Sequence, residues 1–237
     1  MVRFAIVVAA GQGRRMGFKK QFLNLAGKSM WLRSTEAMLC SGVSHVIVVA
    51  SEEDWPRMES EISTLDNPAR VRLTRGGATR HDSVVAGMQV VRGLLEAMAL
   101  PPSEALVAVH DAARPFVSIA DVDQVFEQAA VHGGALLGRY SRDTVKWVQD
   151  DRVDRTIPRE RVFLAETPQV VRGDFIEQAY FAQEVSDSPT DDSAILESLG
   201  VKVACVESTG YNGKVTTPSD LDYAQWLSIR LWGNVEA

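Results

Sequence analysis

The sequence predicts an α/β fold in which helices cover both faces of a mostly parallel sheet. Short apolar runs alternate with longer segments of helical periodicity, and the resulting β-α-β-α-β order is typical of parallel strands joined by crossover helices. Two of the apolar runs are uninterrupted, AIVVAA and ALVAV. Strands that are buried on both faces show such continuous runs, whereas half-exposed strands alternate polar and apolar residues.

The elements follow from these patterns in chain order. Strands are predicted at the short apolar runs Phe4–Ala9, His45–Ala50, Val71–Thr74, Ala105–Val109, Ala135–Leu137 and Val201–Val206. Helices are predicted at the periodic segments Met30–Cys40, Ser83–Met98, Asp121–His132, Gly173–Glu184 and Ser193–Leu199. A further helix is expected to begin in the segment TTPSDL, with Thr217 or Ser219 near its cap.

The segment from Gly138 to Gln169 breaks the alternation because it is polar and rich in threonine, valine and arginine. Its part VKWVQDDRVDRTI reads as two strands around the turn signal QDDR. We interpret residues 139–165 as a protruding β-arm within a single domain that spans residues 1–237. The sequence leaves open whether this arm is a solvated surface hairpin or packs on a second subunit.

Composition restricts the classes of function. The chain has 237 residues, of which 46% are hydrophobic and 24% charged, as in an ordinary soluble globular protein. A net charge of −6 argues against a broad nucleic-acid surface, and no apolar run is long enough for a membrane span. Cys40 and Cys205 lack metal-ligand spacing, so we expect a protein of the reducing cytoplasm that uses both as small apolar residues.

The loop after the first strand concentrates positive charge. Four cations stand within seven positions there, namely Arg14, Arg15, Lys19 and Lys20. Gly11 and Gly13 allow a sharp turn and a close approach of backbone to a ligand, and parallel sheets bind ligands at this end of their strands. The segment fits neither a P-loop nor a dinucleotide fingerprint. It is either a loop of solvated cations or a cradle for a triphosphate.

Asp111 lies in the segment AVHDAARPF, where the apolar strand ALVAV ends. A carboxylate beside a triphosphate suits Mg²⁺, which takes one or two carboxylates and fills its remaining positions with phosphate oxygens and water. The alternative is that Asp111 caps a turn and pairs with Arg114. His110 follows a buried strand, and we interpret it as a hydrogen-bonded structural group.

Two further segments have features of a binding site. In RGGATRHDSV, Gly76 and Gly77 permit the backbone to approach a flat ring, and Asp82 or Ser83 could cap the next helix. In TGYNGKVTTPSDL, Lys214 follows a turn-forming Asn-Gly pair. Each segment is equally compatible with a simple turn.

The motifs together resemble one family. They occur in the order AAGQGRRMG, KKQFL, GGATRHDSV, HDAARPF, RDTV, ETPQ, PTDDSAIL and GKVTTPSDL. In this order they are similar to the 2-C-methyl-D-erythritol 4-phosphate cytidylyltransferases of the non-mevalonate isoprenoid pathway. The resemblance implies a doubly wound, Rossmann-like nucleotidyltransferase fold that transfers CMP from CTP to a sugar phosphate and releases pyrophosphate. It also implies a homodimer in which the arms complete each other's sites.

The resemblance further implies roles for individual residues. It makes Arg15 and Lys20 catalytic residues that stabilise the transition state. It also makes Arg159 and Lys214 catalytic residues that aim the attacking phosphate, and it associates Asp111 with Mg²⁺. It implies a nucleotide site formed by Ala9, Ala10, Gly11, Gly13, Gly77, Arg80, Ser83 and Asp111. It implies a site for methylerythritol phosphate formed by Thr144, Arg159, Thr167 and Lys214.

Two points stay open in this comparison. Many family members have proline before the catalytic lysine, where this chain has Lys19, so either Lys19 or Lys20 could reach the phosphates. Ribitol-5-phosphate cytidylyltransferases share the scaffold and form the alternative function. The residue pair Ala112-Ala113 before Arg114 favours the methylerythritol enzyme over that alternative.

Overall fold

The computed structural model describes residues 1–11, 18–182 and 189–233. The strands are β1 Val2–Val8, β2 Asn24–Leu25, β3 Lys28–Ser29, β4 His45–Ala50, β5 Val71–Arg75, β6 Ala105–Asp111, β7 Gly134–Tyr140, β8 Val145–Gln149, β9 Arg152–Ile157, β10 Phe163–Arg172 and β11 Ala204–Glu207. The α-helices of this described part are α1 Met30–Cys40, α2 Trp55–Ile62, α3 Arg80–Ala97, α4 Ile119–His132, α5 Asp192–Ser198 and α6 Pro218–Trp232.

Seven strands form the central sheet in the order β11-β7-β10-β6-β1-β4-β5. Strands β6, β1, β4 and β5 run parallel to one another, and β11 runs parallel to β7. Strand β10 is antiparallel to both of its neighbours, β6 and β7. The predicted mostly parallel α/β sheet is therefore confirmed, and the parallel strands place their carboxyl ends at one edge.

Two hydrophobic layers cover the sheet, and alternate residues of β1 supply both. Ala5 and Val7 belong to the layer that contains α1 and α4. Phe4 and Ile6 belong to the layer that contains α3. All four side chains are fully buried, which explains the continuous apolar run in the sequence. A Cβ added at Gly87 of α3 would come within 2.7 Å of Ile6, so this glycine lets the helix lie close against the sheet.

Several predicted elements differ from the structure. The sequence-based prediction missed strand β10 and helix α2. Strand β10 begins inside the polar segment that was assigned to the arm, and helix α2 is short. The predicted helix Gly173–Glu184 is instead a 3₁₀ turn at Gly173–Phe175 followed by a π-helix at Glu177–Phe181. Cys40 and Cys205 are exposed rather than used as buried apolar residues. Within the described ranges, no helix is long and apolar enough to cross a membrane.

Within the arm predicted at residues 139–165, strands β8 and β9 form a two-stranded hairpin outside the central sheet. The two ends of that predicted range belong instead to β7 and β10 of the central sheet. Asp150 and Asp151 turn the chain with positive φ angles of 50° and 58°, as required for a tight hairpin whose twist matches its strands. The predicted turn at QDDR is thus confirmed. Trp147, Val148 and Val153 are 53%, 56% and 61% exposed, so the hairpin presents apolar side chains to solvent.

Candidate active site

A cavity of about 620 Å³ opens at the carboxyl ends of β6, β1, β4 and β5. Its described lining includes the predicted site residues Ala9, Ala10, Gly11, Lys20, Gly77, Arg80, Ser83, Asp111 and Lys214. Loops from distant parts of the chain meet here because the parallel strands all end at this edge. Sequence reasoning did not assign Ser51 and Thr216, which also line the cavity. Ser51 belongs to none of the motifs, whereas Thr216 lies in the motif GKVTTPSDL, which was the available signal for it.

One wall of the cavity is made of small residues. A Cβ added at Gly76 would lie 2.5 Å from the Cβ of Ala10, so the loops after β1 and β5 approach each other too closely for a larger residue. The backbone N–H of Gly77 donates to Ser83 Oγ at 3.1 Å, and Ser83 Oγ donates to the Thr79 carbonyl at 2.9 Å. These bonds fix the shape of the loop and leave a smooth wall against which a flat ring can lie.

The cap of α3 differs from the sequence-based expectation. Thr79, rather than Asp82 or Ser83, is the N-cap residue, and Asp82 returns a bond to the Thr79 backbone N–H in a capping box. Helix α6 begins as expected, because Thr217 caps it with Asp220 as the reciprocal partner.

Asp111 lies at the centre of a cluster of cations. Its Oδ2 atom is 2.7 Å from Lys214 Nζ and 3.8 Å from Arg114 Nε, and its Oδ1 atom is 3.4 Å from Arg80 Nε. Burial would raise the pKa of Asp111, but the charges of Lys214 and Arg80 outweigh burial and hold this pKa well below its ordinary value. The carboxylate therefore stays ionised, and it both pairs with Arg114 and faces the cavity.

A second buried carboxylate, that of Asp192, also pairs with Arg80. Arg80 Nη1 is 2.9 Å from Asp192 Oδ2, and the Tyr180 hydroxyl donates to Asp192 Oδ1 at 3.2 Å. Burial raises the pKa of Asp192 above its usual range, although Arg80 opposes that effect. Sequence reasoning assigned no role to Asp192 or Tyr180. The motif PTDDSAIL was the available signal for Asp192.

His110 and Thr167 support the turn that carries Asp111. His110 Nε2 lies 3.1 Å from the Arg114 carbonyl, and His110 Nδ1 lies 3.1 Å from Thr167 Oγ1. Thr167 Oγ1 in turn accepts the Asp111 backbone N–H at 3.0 Å. Burial lowers the pKa of His110 to about 4, so the ring is neutral. The structural role predicted for His110 agrees with these contacts.

Thr167, which the resemblance assigned to the sugar phosphate, is buried next to the cavity. It is only 4% exposed and is absent from the described lining of the cavity. Its hydroxyl is already engaged by Asp111 and His110 beneath the site. These contacts favour a role for Thr167 in orienting Asp111 over direct contact with a substrate.

Lys20 rather than Lys19 faces the cavity. Lys20 Nζ donates to the Val215 carbonyl at 2.8 Å, next to Lys214. Lys19 Nζ instead lies 2.6 Å from Glu53 Oε1 and 2.7 Å from Asp54 Oδ1, after the end of β4. The geometry therefore favours Lys20 as the lysine that meets a bound ligand.

The remaining predicted residues lie elsewhere. Thr144 and Arg159 are exposed on the arm and do not belong to the described lining of the cavity. Arg159 Nη1 donates to the Arg142 carbonyl at 2.9 Å. Gly13 and Arg15 lie outside the described residues, so their predicted roles stay predictions.

Sequence comparison identifies the family. The sequence model of 2-C-methyl-D-erythritol 4-phosphate cytidylyltransferase matches residues 3–229. The chain belongs to this family. A relative of that name from Rhodopirellula baltica is 36% identical over 225 residues, which cover 93% of this chain and 92% of the relative. Another cytidylyltransferase of that name, from Pelotomaculum thermopropionicum, is 38% identical over 230 residues, covering 93% of this chain and 92% of the relative.

Solved cytidylyltransferase structures share the fold. The 2-C-methyl-D-erythritol 4-phosphate cytidylyltransferase of Thermus thermophilus superposes with a TM-score of 0.71 at 30% identity, covering 96% of this chain and 99% of that one. The 4-diphosphocytidyl-2C-methyl-D-erythritol synthase of Anaerococcus prevotii gives a TM-score of 0.79 at 27% identity and covers 95% of both chains. The membership implied by the motifs is confirmed, and the comparisons do not favour the ribitol-5-phosphate alternative.

Proposed function

We propose that this chain transfers CMP from CTP to 2-C-methyl-D-erythritol 4-phosphate and releases pyrophosphate. One observation carries the assignment of the site: Lys20 lines the same cavity as Lys214 and Arg80, the two cations that pair with Asp111. Both reactants are anions that repel each other, so a site that joins them needs fixed positive charge. We infer a cytoplasmic setting, because Cys40 and Cys205 are unpaired thiols.

The nucleotide is assigned to the wall of small residues. The backbone of Ala9, Ala10 and Gly11 and the loop at Gly77 and Ser83 line the cavity, and Gly13 precedes the cations of the same loop. Backbone carbonyls in such a wall can accept hydrogen bonds from the amine of cytosine, whereas uracil presents an oxygen there. A site that pairs a polar group can reject an analogue lacking it by a factor of about 10⁴. We therefore expect strong preference for CTP over UTP.

The sugar phosphate is assigned to Lys214 together with Thr144 and Arg159. The latter two are exposed on an arm whose apolar side chains Trp147 and Val153 are 53% and 61% exposed, with only the Arg155 guanidinium recorded over the Trp147 ring among the described residues. An isolated hairpin is marginally stable in water, so an arm of this kind is best explained by a partner surface. We propose a homodimer in which the arm of one subunit brings Thr144 and Arg159 to the site of the other.

The chemistry is an in-line displacement at the α-phosphorus of CTP. An oxygen of the methylerythritol phosphate forms the new P–O bond, the bond to the β-phosphate breaks, and pyrophosphate leaves with the electron pair. Lys20, together with Arg15, would stabilise negative charge that develops on the α-phosphate and the leaving group. Positioning and charge stabilisation suffice for such a transfer, so no side-chain nucleophile is required.

The site also fits Mg²⁺ as the proposed cofactor. Asp111 is an ionised carboxylate on the cavity wall, although Lys214 already pairs with its Oδ2 atom and Arg80 with its Oδ1 atom. The described residues contain no group of three or more His, Cys, Asp or Glu side chains arranged for a metal. Asp111 would therefore hold the ion together with phosphate oxygens and water, as Mg²⁺ prefers. When bound, the ion would neutralise phosphate charge.

Pyrophosphate release tests this function. The purified protein is incubated with Mg²⁺ and either CTP or UTP, together with methylerythritol 4-phosphate or ribitol 5-phosphate. We expect release only with CTP and methylerythritol 4-phosphate, and a kcat lower by ~10²–10³ in Lys20→Ala. Lys28→Ala is the matched control, since Lys28 pairs with Glu36 away from the cavity. Equal turnover with ribitol 5-phosphate would contradict the proposed substrate.

A further inference from the structure

The residues on both sides of Lys20 bind the same carboxylate. Lys19 Nζ donates to Asp54 Oδ1 at 2.7 Å, and Gln21 Nε2 donates to Asp54 Oδ2 at 3.4 Å. Asp54 is only 6% exposed and Gln21 only 4%, so this contact lies in the protein interior. Glu53 adds a second, exposed carboxylate to Lys19 at 2.6 Å. The hydrogen bonds of Lys19 pull its pKa above the ordinary value, first through Asp54 and then through Glu53.

Among the described residues, Lys19 and Gln21 are the recorded side-chain partners of Asp54. It occupies the position before α2, but its side chain makes no capping bond to that helix. An aspartate there would ordinarily accept a backbone N–H of the first turn. The Asp54 side chain instead binds Lys19 and Gln21, so its contacts hold the segment Lys19–Phe22 rather than the start of α2.

A third contact holds the same segment against α2. The guanidinium of Arg57 lies 4.0 Å from the centre of the Phe22 ring, and Arg57 also pairs with Glu61. The short 3₁₀ turn Lys20–Phe22 is thus fixed on its α2 side by its neighbours. From this turn, Lys20 extends in the other direction, to the Val215 carbonyl beside Lys214.

We propose that Asp54 is a positioning residue that directs Lys20 into the cavity by binding Lys19 and Gln21, and that Lys19 acts through this contact. This inference rests on the proposed function, in which Lys20 stabilises the transition state. A lysine has a long flexible side chain, and a small misplacement of a catalytic group can cost up to about 10²-fold in rate. When the backbone on both sides of Lys20 is fixed, the Lys20 side chain adopts fewer conformations in which its ammonium group does not reach the phosphates of the proposed substrate.

Four variants test the positioning role. Lys19→Met removes the cation and keeps the aliphatic stem, Lys19→Arg keeps the ion pair, Asp54→Asn removes the buried charge, and Lys20→Ala removes the proposed catalytic group. We expect kcat to fall by about 10-fold to 100-fold in Lys19→Met and Asp54→Asn, with a smaller change in KM for CTP. Lys19→Arg is expected to restore most of the turnover.

The matched control is Lys28→Met. Lys28 has a side chain exposed to a similar degree, 41% against 38% for Lys19, and an ion pair of similar length with Glu36. We expect this variant to turn over like the unmodified protein. The melting temperature of Lys28→Met should stay unchanged, since exposed ion pairs contribute little to stability. Lys19→Met leaves the buried Asp54 carboxylate without its cation, so its melting temperature should fall, and its turnover is measured well below that temperature.

A double-mutant cycle separates positioning from a merely structural effect. If Lys19 acts through Lys20, the double variant Lys19→Met/Lys20→Ala is expected to be no slower than Lys20→Ala alone. An equal loss in both backgrounds, or normal turnover of Lys19→Met and Asp54→Asn, would overturn the positioning role while leaving the proposed function intact. Normal turnover of Lys20→Ala would instead refute the catalytic role of Lys20. If Lys19→Met were then the crippling change, Lys19 would be the lysine that acts.

Discussion

Lys214 and Asp111 form an ion pair of 2.7 Å between two loops of the cavity. The neighbouring backbone N–H of Val215 donates to the Ala113 carbonyl at 2.9 Å, so the two loops are joined by both side chain and main chain. Asp111 thereby orients Lys214, the cation that we assign to the sugar phosphate. The Asp111 carboxylate also lies on the cavity wall, where a metal ion would bind.

Asp111→Asn is expected to abolish most activity. The change keeps the shape of the side chain but removes the charge that would hold Mg²⁺ and orient Lys214. Excess Mg²⁺ should recover only part of the turnover, measured by pyrophosphate release across a Mg²⁺ titration. Asp123→Asn is the control, since Asp123 pairs with Arg3. Normal turnover of Asp111→Asn at low Mg²⁺ would exclude the metal-binding role.

Arg159→Ala and Lys214→Ala should raise KM for methylerythritol phosphate far more than KM for CTP. Each removes a charged hydrogen bond to that phosphate, a contribution of about 1.5–3 kcal/mol. Arg152→Ala is the control for the arm, because Arg152 is an exposed arginine of the same hairpin that has no assigned role in the site. A change confined to KM for CTP would show that these cations serve the nucleotide.

Trp147→Glu should convert the proposed dimer into a monomer of low activity. A charge on the exposed face of the arm would meet the partner surface, and a buried unpaired charge is costly. Sedimentation and turnover are measured together at assay concentration. Trp226→Glu provides a comparison on α6, since Trp226 is 50% exposed and lies outside the arm. A fully active monomer of the unmodified chain would remove the proposed role of the arm.

The stability of the protein should fall as the pH drops from about 6.5 to about 4. The pKa of His110 is lowered to about 4 by burial, so between these values the unfolded chain binds a proton that the folded chain does not. The resulting decrease in the free energy of unfolding levels off below about pH 4, at roughly 3 kcal/mol. Unfolding by urea across this range would reveal the slope. His110→Gln should show a shallower slope, and identical slopes in both proteins would contradict a neutral buried ring.

The sequence by itself determined the sheet and the edge at which the site lies. Uninterrupted apolar runs such as ALVAV can be buried on both faces only in a sheet covered by helices, so their order predicted the parallel strands. The same reasoning placed the cationic loop and Asp111 at carboxyl strand ends, where the structure has its cavity. The ordered motifs then indicated the family.

Only the tertiary structure decided which side chains meet. Whether Lys19 or Lys20 faces the cavity depends on Asp54, a residue after β4 that no local pattern links to the first loop. The sequence alone also cannot tell whether Thr167 contacts a substrate or supports Asp111. Its position beneath Asp111 follows from the antiparallel pairing of β10 with β6. Local patterns reflect short-range preferences and burial. Contacts between remote segments depend on how the whole chain packs, and that packing selects the partner of each charged side chain.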